Sequence, residues 1–395
     1  MPILFLIMFI DLLGFGLVIP LLPFYGLHFG ADTTETTWLL GIYSFAQLFS
    51  SPILGRLSDR FGRKPILLLG LAASIVSYIW LAMADQLWML FAARFFAGAG
   101  AGTVGAVFAY VTDTTTPETR ARGMGIIGAA FGLGFTLGPA LGGLLTGSQP
   151  SMSQLGLPAY FAAAFSGVAL LLTLFFLKES LPAESRHANT GKRPSRLDFA
   201  RRIVFHRPAL RRLIIIGFIT TAAFAALEST FALWARETYD WGPRQIGLMF
   251  FYVGAILVVI QGGLIGPLTR RFGETRLLIA STALLFLGMA AIPFLTTVPP
   301  LAIVNIALAG GMALFGPSSN SLISREAAID ERGGVLGVSQ STQSLARVIG
   351  PLLGGPLFTE LGRNAPYWVA ASVMAIAMLL AFGLLRRAPA EAPAS

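Results

Sequence analysis

Residues 55–64 read Gly55-Arg-Leu-Ser-Asp-Arg-Phe-Gly-Arg-Lys64, a short charged stretch between two long apolar runs. Asp59 lies among four cations, and Gly55 and Gly62 frame the stretch. The cations are Arg56, Arg60, Arg63 and Lys64. A basic turn this short between apolar runs is typical of a cytoplasmic hairpin that joins two membrane helices. A loop that only sets topology would explain the cations but not Asp59 or the glycines.

The composition places the chain among proteins that cross a membrane several times. Of its 395 residues, 55% are hydrophobic and 12% are charged, and the mean hydropathy is +0.73. A soluble domain carries about 25% charged residues. The net charge of +9 does not indicate nucleic-acid binding, because the cations lie in one alternate set of loops. Since the chain has no cysteine, disulfides and thiolate chemistry are excluded.

Apolar runs of about 20 residues, the length that crosses a bilayer as a helix, occur twelve times. The predicted spans are 3–27, 38–56, 65–84, 87–112, 122–147, 158–177, 212–235, 244–268, 276–295, 299–324, 333–359 and 365–385. The first run is too long for the core of a signal peptide and lacks a basic leader. We therefore expect it to remain as a span.

The placement of lysine and arginine tests this count. The loops after spans 2, 4, 6, 8 and 10 and the C-terminal tail hold 23 of the 28 Lys and Arg residues, whereas the loops on the other side hold three. Cytoplasmic loops carry the excess of positive charge, so both termini are predicted to be cytoplasmic. A missed span would destroy the alternation. The pattern predicts a multi-pass protein of the cell inner (plasma) membrane.

The chain also repeats itself at an interval of 211–212 residues. The stretch 55–62 recurs in part at 266–273, and the Gly-Pro-x-x-Gly-Gly pattern at 138–143 recurs at 350–355. This indicates duplication of a six-span unit, with a substrate site at the interface of the two copies. The predicted domains are an N-terminal six-helix bundle over 1–177, a cytoplasmic linker over 178–211 and a C-terminal six-helix bundle over 212–395.

The linker contains one candidate surface helix. Residues 197–205 carry apolar side chains at helical spacing beside Arg201 and Arg202. This pattern fits an amphipathic helix on an anionic leaflet, and it fits a plain tether equally well.

Together these motifs resemble the major facilitator superfamily, and within it the drug/proton antiporters of the tetracycline-efflux type. The part of span 1 that begins at Asp11 is similar to the first span of that group. In span 4, Arg94 and the glycines that follow it resemble the motif of the superfamily's fourth span. The resemblance of span 5 to the antiporter motif rests on Gly134, Gly138, Pro139, Gly142 and Gly143. It implies an all-α membrane protein with twelve transmembrane helices in two pseudo-symmetric six-helix bundles, working by alternating access.

Two carboxylates lie well inside spans, Asp11 and Glu228. Asp11 is roughly 13 Å deep, at about 1.5 Å of rise per residue. Low dielectric favours the neutral form of a carboxylate, which is the property that a proton carrier needs. We predict proton coupling through both residues. The alternatives are a structural helix tie for Asp11 and a fixed ion pair between Glu228 and Arg347.

The predicted cavity residues are the other polar side chains inside spans. An arginine there is costly and usually paired, and the resemblance implies that Arg94 faces the central cavity and modulates the span-1 carboxylate. The alternative is that Arg94 snorkels to the outer interface. The remaining candidates are Gln47, Gln261, Asn305, Gln340 and Arg347.

The charged stretch is predicted to act as a gate. Asp113, at the cytoplasmic end of span 4, is expected to join Asp59 and Arg120 in a charge lock that opens as the halves rock. The second copy carries the opposite charge at two equivalent positions, Arg270 and Glu274, so only the first keeps the full motif. The predicted gating residues are Gly55, Asp59, Arg60, Gly62, Arg63, Lys64, Asp113 and Arg120.

The glycines of span 5 form a small-residue face that lets a neighbouring helix approach closely, and Pro139 weakens one turn. This suits a helix that rocks against the other half. The alternative is tight static packing.

The sequence therefore predicts a secondary transporter that exports amphipathic organic molecules in exchange for protons. No Walker A run is present, and the three histidines lack metal-ligand spacing, so we expect no enzyme activity, cofactor or metal site. The alternatives are a symporter for a polar nutrient and a non-transporting receptor of the same fold. The expected partners are a small-molecule substrate, protons and the lipid bilayer, without nucleic acid, and the protein is expected to be a monomer.

The sequence departs from the tetracycline exporters at three places. That group carries further acidic residues in spans 3 and 9 and a histidine in span 8. This chain has Ser77, Leu285 and Leu257 at those positions. The departure argues against tetracycline as the substrate.

Overall fold

The computed structural model describes residues 2–150, 152–181, 207–328 and 331–385. Within these ranges the regular secondary structure is helical throughout, in twelve long helices. They are α1 (Pro2–His28), α2 (Thr33–Phe61), α3 (Arg63–Ala82), α4 (Leu87–Thr114), α5 (Pro117–Thr146), α6 (Met152–Phe176), α7 (Pro208–Tyr239), α8 (Pro243–Phe272), α9 (Glu274–Phe294), α10 (Val298–Glu326), α11 (Arg332–Leu361) and α12 (Ala365–Leu385).

Ten of these helices, among the described residues, are long and apolar enough to cross a membrane. The other two are α2 and α11, which are 29 and 30 residues long but carry more polar side chains. Length alone suffices for both of them to span a bilayer. The predicted all-α membrane fold is confirmed, and the described residues contain twelve helices long enough to span a bilayer.

Helix α2 extends beyond its predicted apolar run at both ends. Asp32 and Glu35 form a capping box at its start, with Glu35 N 2.7 Å from Asp32 Oδ1 and Asp32 N 3.1 Å from Glu35 Oε2. At its other end Gly62 alone, with φ of +106°, separates Phe61 from Arg63. The charged stretch is therefore mostly helical rather than a loop, because polar helix ends continue past the apolar run.

Four helices contain irregular turns. Ile19–Leu21 in α1, Ala101–Thr103 in α4 and Ile292–Phe294 at the end of α9 are 3₁₀ turns, and Ile260–Leu264 in α8 is a π-helical turn. In α1 the irregular turn contains Pro20, which lacks the N–H that an α-helix would use. Helix α5 runs continuously through Pro139.

The described chain forms two compact units. The first covers the described parts of Met1–Lys192 and Ser229–Ala255, and the second those of Arg193–Glu228 and Ile256–Ser395. In the first unit α3 packs against α4 and α6, and in the second the equivalent α9 packs against α10 and α12. These matching pairs are the packing that a duplicated six-helix unit would produce. The predicted domain limits at 177 and 212 stay a prediction.

The described part of the first unit contains two apolar core clusters. One includes Leu4 of α1 and Leu67 of α3, and the other includes Leu21 and Leu81 of the same two helices. Asp11 lies on α1 between Leu4 and Leu21, near the boundary between the two clusters.

The amphipathic helix predicted at 197–205 lies outside the described residues, as does most of the predicted linker.

Candidate functional site

Asp11 accepts a hydrogen bond from Ser166 of α6. The distance from Ser166 Oγ to Asp11 Oδ1 is 3.2 Å, and Tyr78 of α3 lies within electrostatic range of the carboxylate. Ser166 is fully buried, whereas Asp11 is partly exposed. No cation forms an ion pair with Asp11 in the described part of the chain. The carboxylate can therefore gain or lose a proton without breaking a salt bridge.

Arg94 is held in the same unit by aromatic rings. Its guanidinium carbon lies 4.5 Å from the centroid of the Tyr43 ring and 5.7 Å from that of Phe15. The residue is only 3% exposed, and its Nε has no hydrogen-bond partner among the described residues. This burial excludes a side chain that snorkels to the outer interface. Cation–π contacts with α1 and α2 stabilise the charge instead.

Arg63 is the centre of the predicted gate. Its Nη1 lies 2.7 Å from Asp59 Oδ1, and its Nε lies 2.9 Å from Asp113 Oδ2. Nη1 also donates to Ser58 Oγ at 3.1 Å. The structure thus brings Asp59 and Asp113 together on one buried arginine that ties α2, α3 and α4. Arg120 lies half-buried on α5, and its Nε has no hydrogen-bond partner in the described ranges.

Glu179 joins this cluster from a distant part of the sequence. Its carboxylate accepts hydrogen bonds from the backbone N–H groups of Arg63, at 2.8 Å, and Lys64, at 3.2 Å. It thereby caps the first turn of α3, where the helix dipole favours a negative charge. Ser180 beside it donates to Asp113 at 3.2 Å. Sequence reasoning did not identify either residue, and the only local signal is their position directly after α6.

The remaining residues of the predicted gate occupy its edges. Arg60 is exposed, with its guanidinium carbon 5.3 Å from the centroid of the Phe61 ring. Lys64 Nζ donates to the carbonyl oxygen of Leu174 at 2.7 Å. Gly55 has open space where a side chain would be, whereas a Cβ at Gly62 would collide with the carboxylate of Glu179. Gly62 is thus required both by its positive φ and by the cap.

The second unit contains an ion pair at the equivalent place. Glu274, at the start of α9, lies 3.0 Å from Arg325 Nη2 and accepts a hydrogen bond from Ser321 at 3.2 Å. These residues are equivalent to Arg63 and Asp113 by the repeat interval, so the charges are exchanged.

Glu228 and Arg347 lie within electrostatic range of each other in the second unit. Both are partly exposed, on α7 and α11. Arg347 Nη2 also donates to Ser344 Oγ at 3.0 Å. The arrangement suits both interpretations of the sequence, an internal charge pair and a charged wall of a cavity.

The other predicted cavity residues differ in their surroundings. Gln47 donates to the carbonyl oxygen of Ala101 at 3.3 Å, which ties α2 to the irregular turn of α4. Asn305 is 5% exposed and donates to Leu301 in its own helix at 3.0 Å, so its amide donor is satisfied locally. Gln261 and Gln340 are exposed on the surface of the second unit.

The glycine face of α5 packs on α1. A Cβ at Gly134 would lie 2.6 Å from Leu12 Cβ, one at Gly138 would lie 2.6 Å from Gly16 Cα, and one at Gly142 would collide with the carbonyl of Leu17. In the second unit Gly350 makes the equivalent approach to α7, through Ala222 and Ala225.

Gly143 lies against a different helix, α8. A Cβ at Gly143 would lie 2.6 Å from the carbonyl oxygen of Pro243 and 3.2 Å from Gly247 Cα, both at the start of α8. Seven residues earlier in α5, Thr136 lies against Gly254 of α8. Helix α5 therefore presents small residues to two helices, one of its own repeat and one of the other.

A sequence model described as the Major Facilitator Superfamily matches residues 4–297 and 260–395 of the chain. The chain belongs to this superfamily. It is therefore a membrane transporter of small molecules and not an enzyme.

Relatives of the chain in this superfamily carry names that refer to drug resistance. Multidrug resistance protein 2 of Bacillus subtilis (strain 168) is 31% identical over 378 residues, which is 94% of this chain and 91% of the relative. Tetracycline resistance protein, class C, of Escherichia coli is 31% identical over 383 residues, which is 94% of this chain and 93% of the relative.

Solved structures share the fold. The human organic anion transporter MFSD10 (TETRAN) is 27% identical, with a TM-score of 0.72 over 96% of this chain and 98% of that one. The nucleoside transporter NupG is 14% identical, with a TM-score of 0.77 over 97% of this chain and 98% of that one. At that identity the likeness to NupG shows the fold alone.

Proposed function

We propose that this superfamily member exports amphipathic drugs from the cell in exchange for protons. The observation that carries the proposal is Asp11, an intramembrane carboxylate with one hydroxyl partner, Ser166, and no ion pair among the described residues. Ionisable residues inside a membrane usually serve ion pathways. Relatives named for multidrug and tetracycline resistance, which align over more than nine tenths of both chains, support the choice of drugs.

In this mechanism the proton is a ligand that binds one conformation of the protein more tightly than the other. Protonated Asp11 is neutral and is tolerated in a dry environment, whereas ionised Asp11 requires water or a cation. Proton binding therefore favours the conformation in which this part of α1 is sealed, and release favours the one in which it is open. Tyr78 lies within electrostatic range of both Asp11 and Arg94, so it can couple the two charged groups. Glu228 meets the drug or shares the proton.

The substrate class is amphipathic organic molecules rather than a metal chelate of tetracycline. Ser77 is 1% exposed and donates to the carbonyl oxygen of Ala73 at 2.7 Å, and Leu285 is fully buried. Neither position can supply the carboxylate that the tetracycline exporters carry there. Two of the polar cavity candidates, Gln47 and Asn305, already donate hydrogen bonds within the protein, which favours export of drugs over import of a polar nutrient by symport.

The protein resides in the inner (plasma) membrane, with both termini cytoplasmic. The alternation of basic loops supports this orientation, since 23 of 28 Lys and Arg residues fall on one side. Two six-helix bundles, 1–177 and 212–395, rock about a central site, and the monomer suffices for transport because each bundle supplies one half of it.

Drug susceptibility of a host that lacks its own efflux pumps tests this function. Cells expressing the chain should tolerate higher concentrations of lipophilic cations and other amphipathic drugs, and a protonophore should abolish the difference in drug accumulation. Cells that express Asp85→Asn, an exposed loop carboxylate, serve as the matched control. Unchanged susceptibility across the panel, at confirmed membrane expression, would contradict drug export.

A further inference from the structure

An apolar cavity of about 280 Å³ lies between α2, α3 and α4 on the first unit. Ile53, Leu69 and Phe96 line it, and each is at least half exposed. In a chain that spans a membrane, exposed apolar side chains of this kind face lipid tails. The cavity therefore opens toward the hydrocarbon of the bilayer.

Small residues create the cavity. A Cβ at Gly70 would lie 2.5 Å from Thr103 Cγ2, and a Cβ at Gly100 would lie 2.8 Å from Ala73 Cβ, so α3 and α4 are in close contact at its floor. The hydroxyl of Ser50 lies 3.4 Å from the backbone carbonyl oxygens of both Gln47 and Gly98, which accept its hydrogen bond. An apolar occupant therefore fits better than a polar one. The volume lies just below the range of about 300–1,000 Å³ that holds drug-sized ligands, so part of an alkyl chain fits.

Two arginines lie directly beyond this cavity on α2. Arg56 and Arg60 follow Ile53 by three and seven residues, which puts them on the same helix face, about 4.5 and 10.5 Å further along the axis. Both are exposed, and neither forms an ion pair in the described part of the chain. The nearby carboxylate of Asp59 is already bound to Arg63. Positive charge is thus presented where the helix leaves the hydrocarbon.

We propose that this groove binds one anionic phospholipid. An acyl chain occupies the cavity beside Ile53, Leu69 and Phe96, and the headgroup phosphate lies between Arg56 and Arg60. Arginine binds phosphate with charge-assisted hydrogen bonds, and the spacing along α2 separates the headgroup from the chain as a phospholipid does. The lipid belongs to the leaflet at the α2–α3 end of the helices.

Native mass spectrometry of the full chain tests the proposal. The protein is exchanged into micelles with phosphatidylglycerol and phosphatidylcholine of identical acyl chains, and the lipids that remain bound are counted. The wild type should retain phosphatidylglycerol in preference. Arg56→Gln should reduce this retention about fivefold, and Ile53→Trp, which fills the cavity, should reduce retention of both lipids.

Arg271→Gln is the matched control. Arg271 also lies exposed at a helix end, with its guanidinium carbon 5.4 Å from the centroid of the following ring, Phe272. This variant should keep the wild-type lipid count. Equal retention of both lipids by the wild type, or full retention by Arg56→Gln and Ile53→Trp, would overturn the site.

A second measurement needs no variant. Phosphatidylglycerol with a photoactivatable group on its acyl chain is crosslinked to the wild-type protein, and the adducts are mapped by peptide mass spectrometry. Adducts on the segments 50–54, 69–73 and 96–100 are expected, because these line the cavity. Adducts confined to other helices would overturn the proposal.

Discussion

Glu274 and Arg325 form an ion pair with 3.0 Å between Glu274 Oε1 and Arg325 Nη2, and they occupy the positions that Arg63 and Asp113 hold in the other repeat. The charges are exchanged between the copies, but in each an acid and a base join the third and fourth helices of the repeat. The contact thus requires opposite charges rather than a particular order. The basic partners differ in burial, since the side chain of Arg63 is 9% exposed and that of Arg325 is 68% exposed, whereas the acidic partners Asp113 and Glu274 are 22% and 13% exposed.

Reversal of the buried pair should be tolerated only as a set. Arg63→Glu adds a carboxylate to those of Asp59, Asp113 and Glu179 and should lower the free energy of unfolding by roughly 3 kcal/mol, because the new buried charge has no cationic partner. Adding Asp59→Arg and Asp113→Arg reproduces the charge order of the second unit and should recover most of the loss. Thermal unfolding in detergent measures both effects.

The ion pair of the second unit, in which only Arg325 is exposed, is the control for this experiment. The exchange Glu274→Arg with Arg325→Glu should change the free energy of unfolding by less than about 1 kcal/mol, since an ion pair with an exposed partner is screened by water and contributes little. If the triple variant of the first unit is no more stable than Arg63→Glu alone, backbone or hydrogen-bond geometry rather than charge order holds that cluster together.

Glu179→Ala should destabilise the start of α3. The carboxylate accepts two backbone N–H groups there, and loss of such a cap costs about 1 kcal/mol. Hydrogen exchange of the amides of Arg63 and Lys64 should accelerate. Glu326→Ala, an exposed acid at the end of α10, should leave these amides unchanged. If the amides of Arg63 and Lys64 exchange equally slowly in both variants, Glu179 does not cap α3.

Gly142→Ala should separate α1 from α5. The new Cβ would collide with the carbonyl of Leu17, so unfolding stability should fall by about 2 kcal/mol, as for overpacking in a core. Gly128 lies on the same helix with open space beside it, so Gly128→Ala should be neutral or stabilise by about 1 kcal/mol through helix propensity. Thermal unfolding of the two variants distinguishes packing from propensity, and a neutral Gly142→Ala would contradict the close approach.

Glu228→Gln separates a substrate role from a fixed ion pair with Arg347. A substrate role predicts a stable protein whose substrate range narrows, with cationic drugs lost before neutral ones. An ion pair predicts a loss of stability of several kcal/mol at most, because Arg347 is left uncompensated. The measurements are thermal unfolding and export of matched cationic and neutral dyes. An unfolded Glu228→Gln protein that Arg347→Gln rescues would exclude the substrate role.

The number of helices could be predicted because two independent patterns agree. Helices α2 and α11 contain the most polar of the twelve apolar runs, and the alternation of basic loops supports counting them as spans. Their ends could not be predicted, since features such as the capping box at Asp32 continue a helix into polar sequence. The 3₁₀ and π turns depend on packing and leave only weak local signals, such as Pro20.

The candidate site was predicted in part. The sequence places Asp59 among cations but gives no geometry, so it does not reveal that Arg63 is the central residue. Glu179 contributes from more than 100 residues away, and no local pattern encodes such a contact. Arg94 was predicted inside the membrane, whereas the rings of Phe15 and Tyr43 that hold it come from two other helices.

The most direct measurement of proton-coupled drug export is flux of a fluorescent amphipathic drug in proteoliposomes with an imposed pH gradient. The wild type should concentrate the drug against its own gradient, and a protonophore should collapse the drug gradient. Asp11→Asn should bind the drug but fail to concentrate it, because the amide keeps the shape of the carboxylate and cannot carry a proton, while Asp85→Asn should transport normally. Concentration of the drug by Asp11→Asn at the wild-type level would contradict proton coupling through this residue.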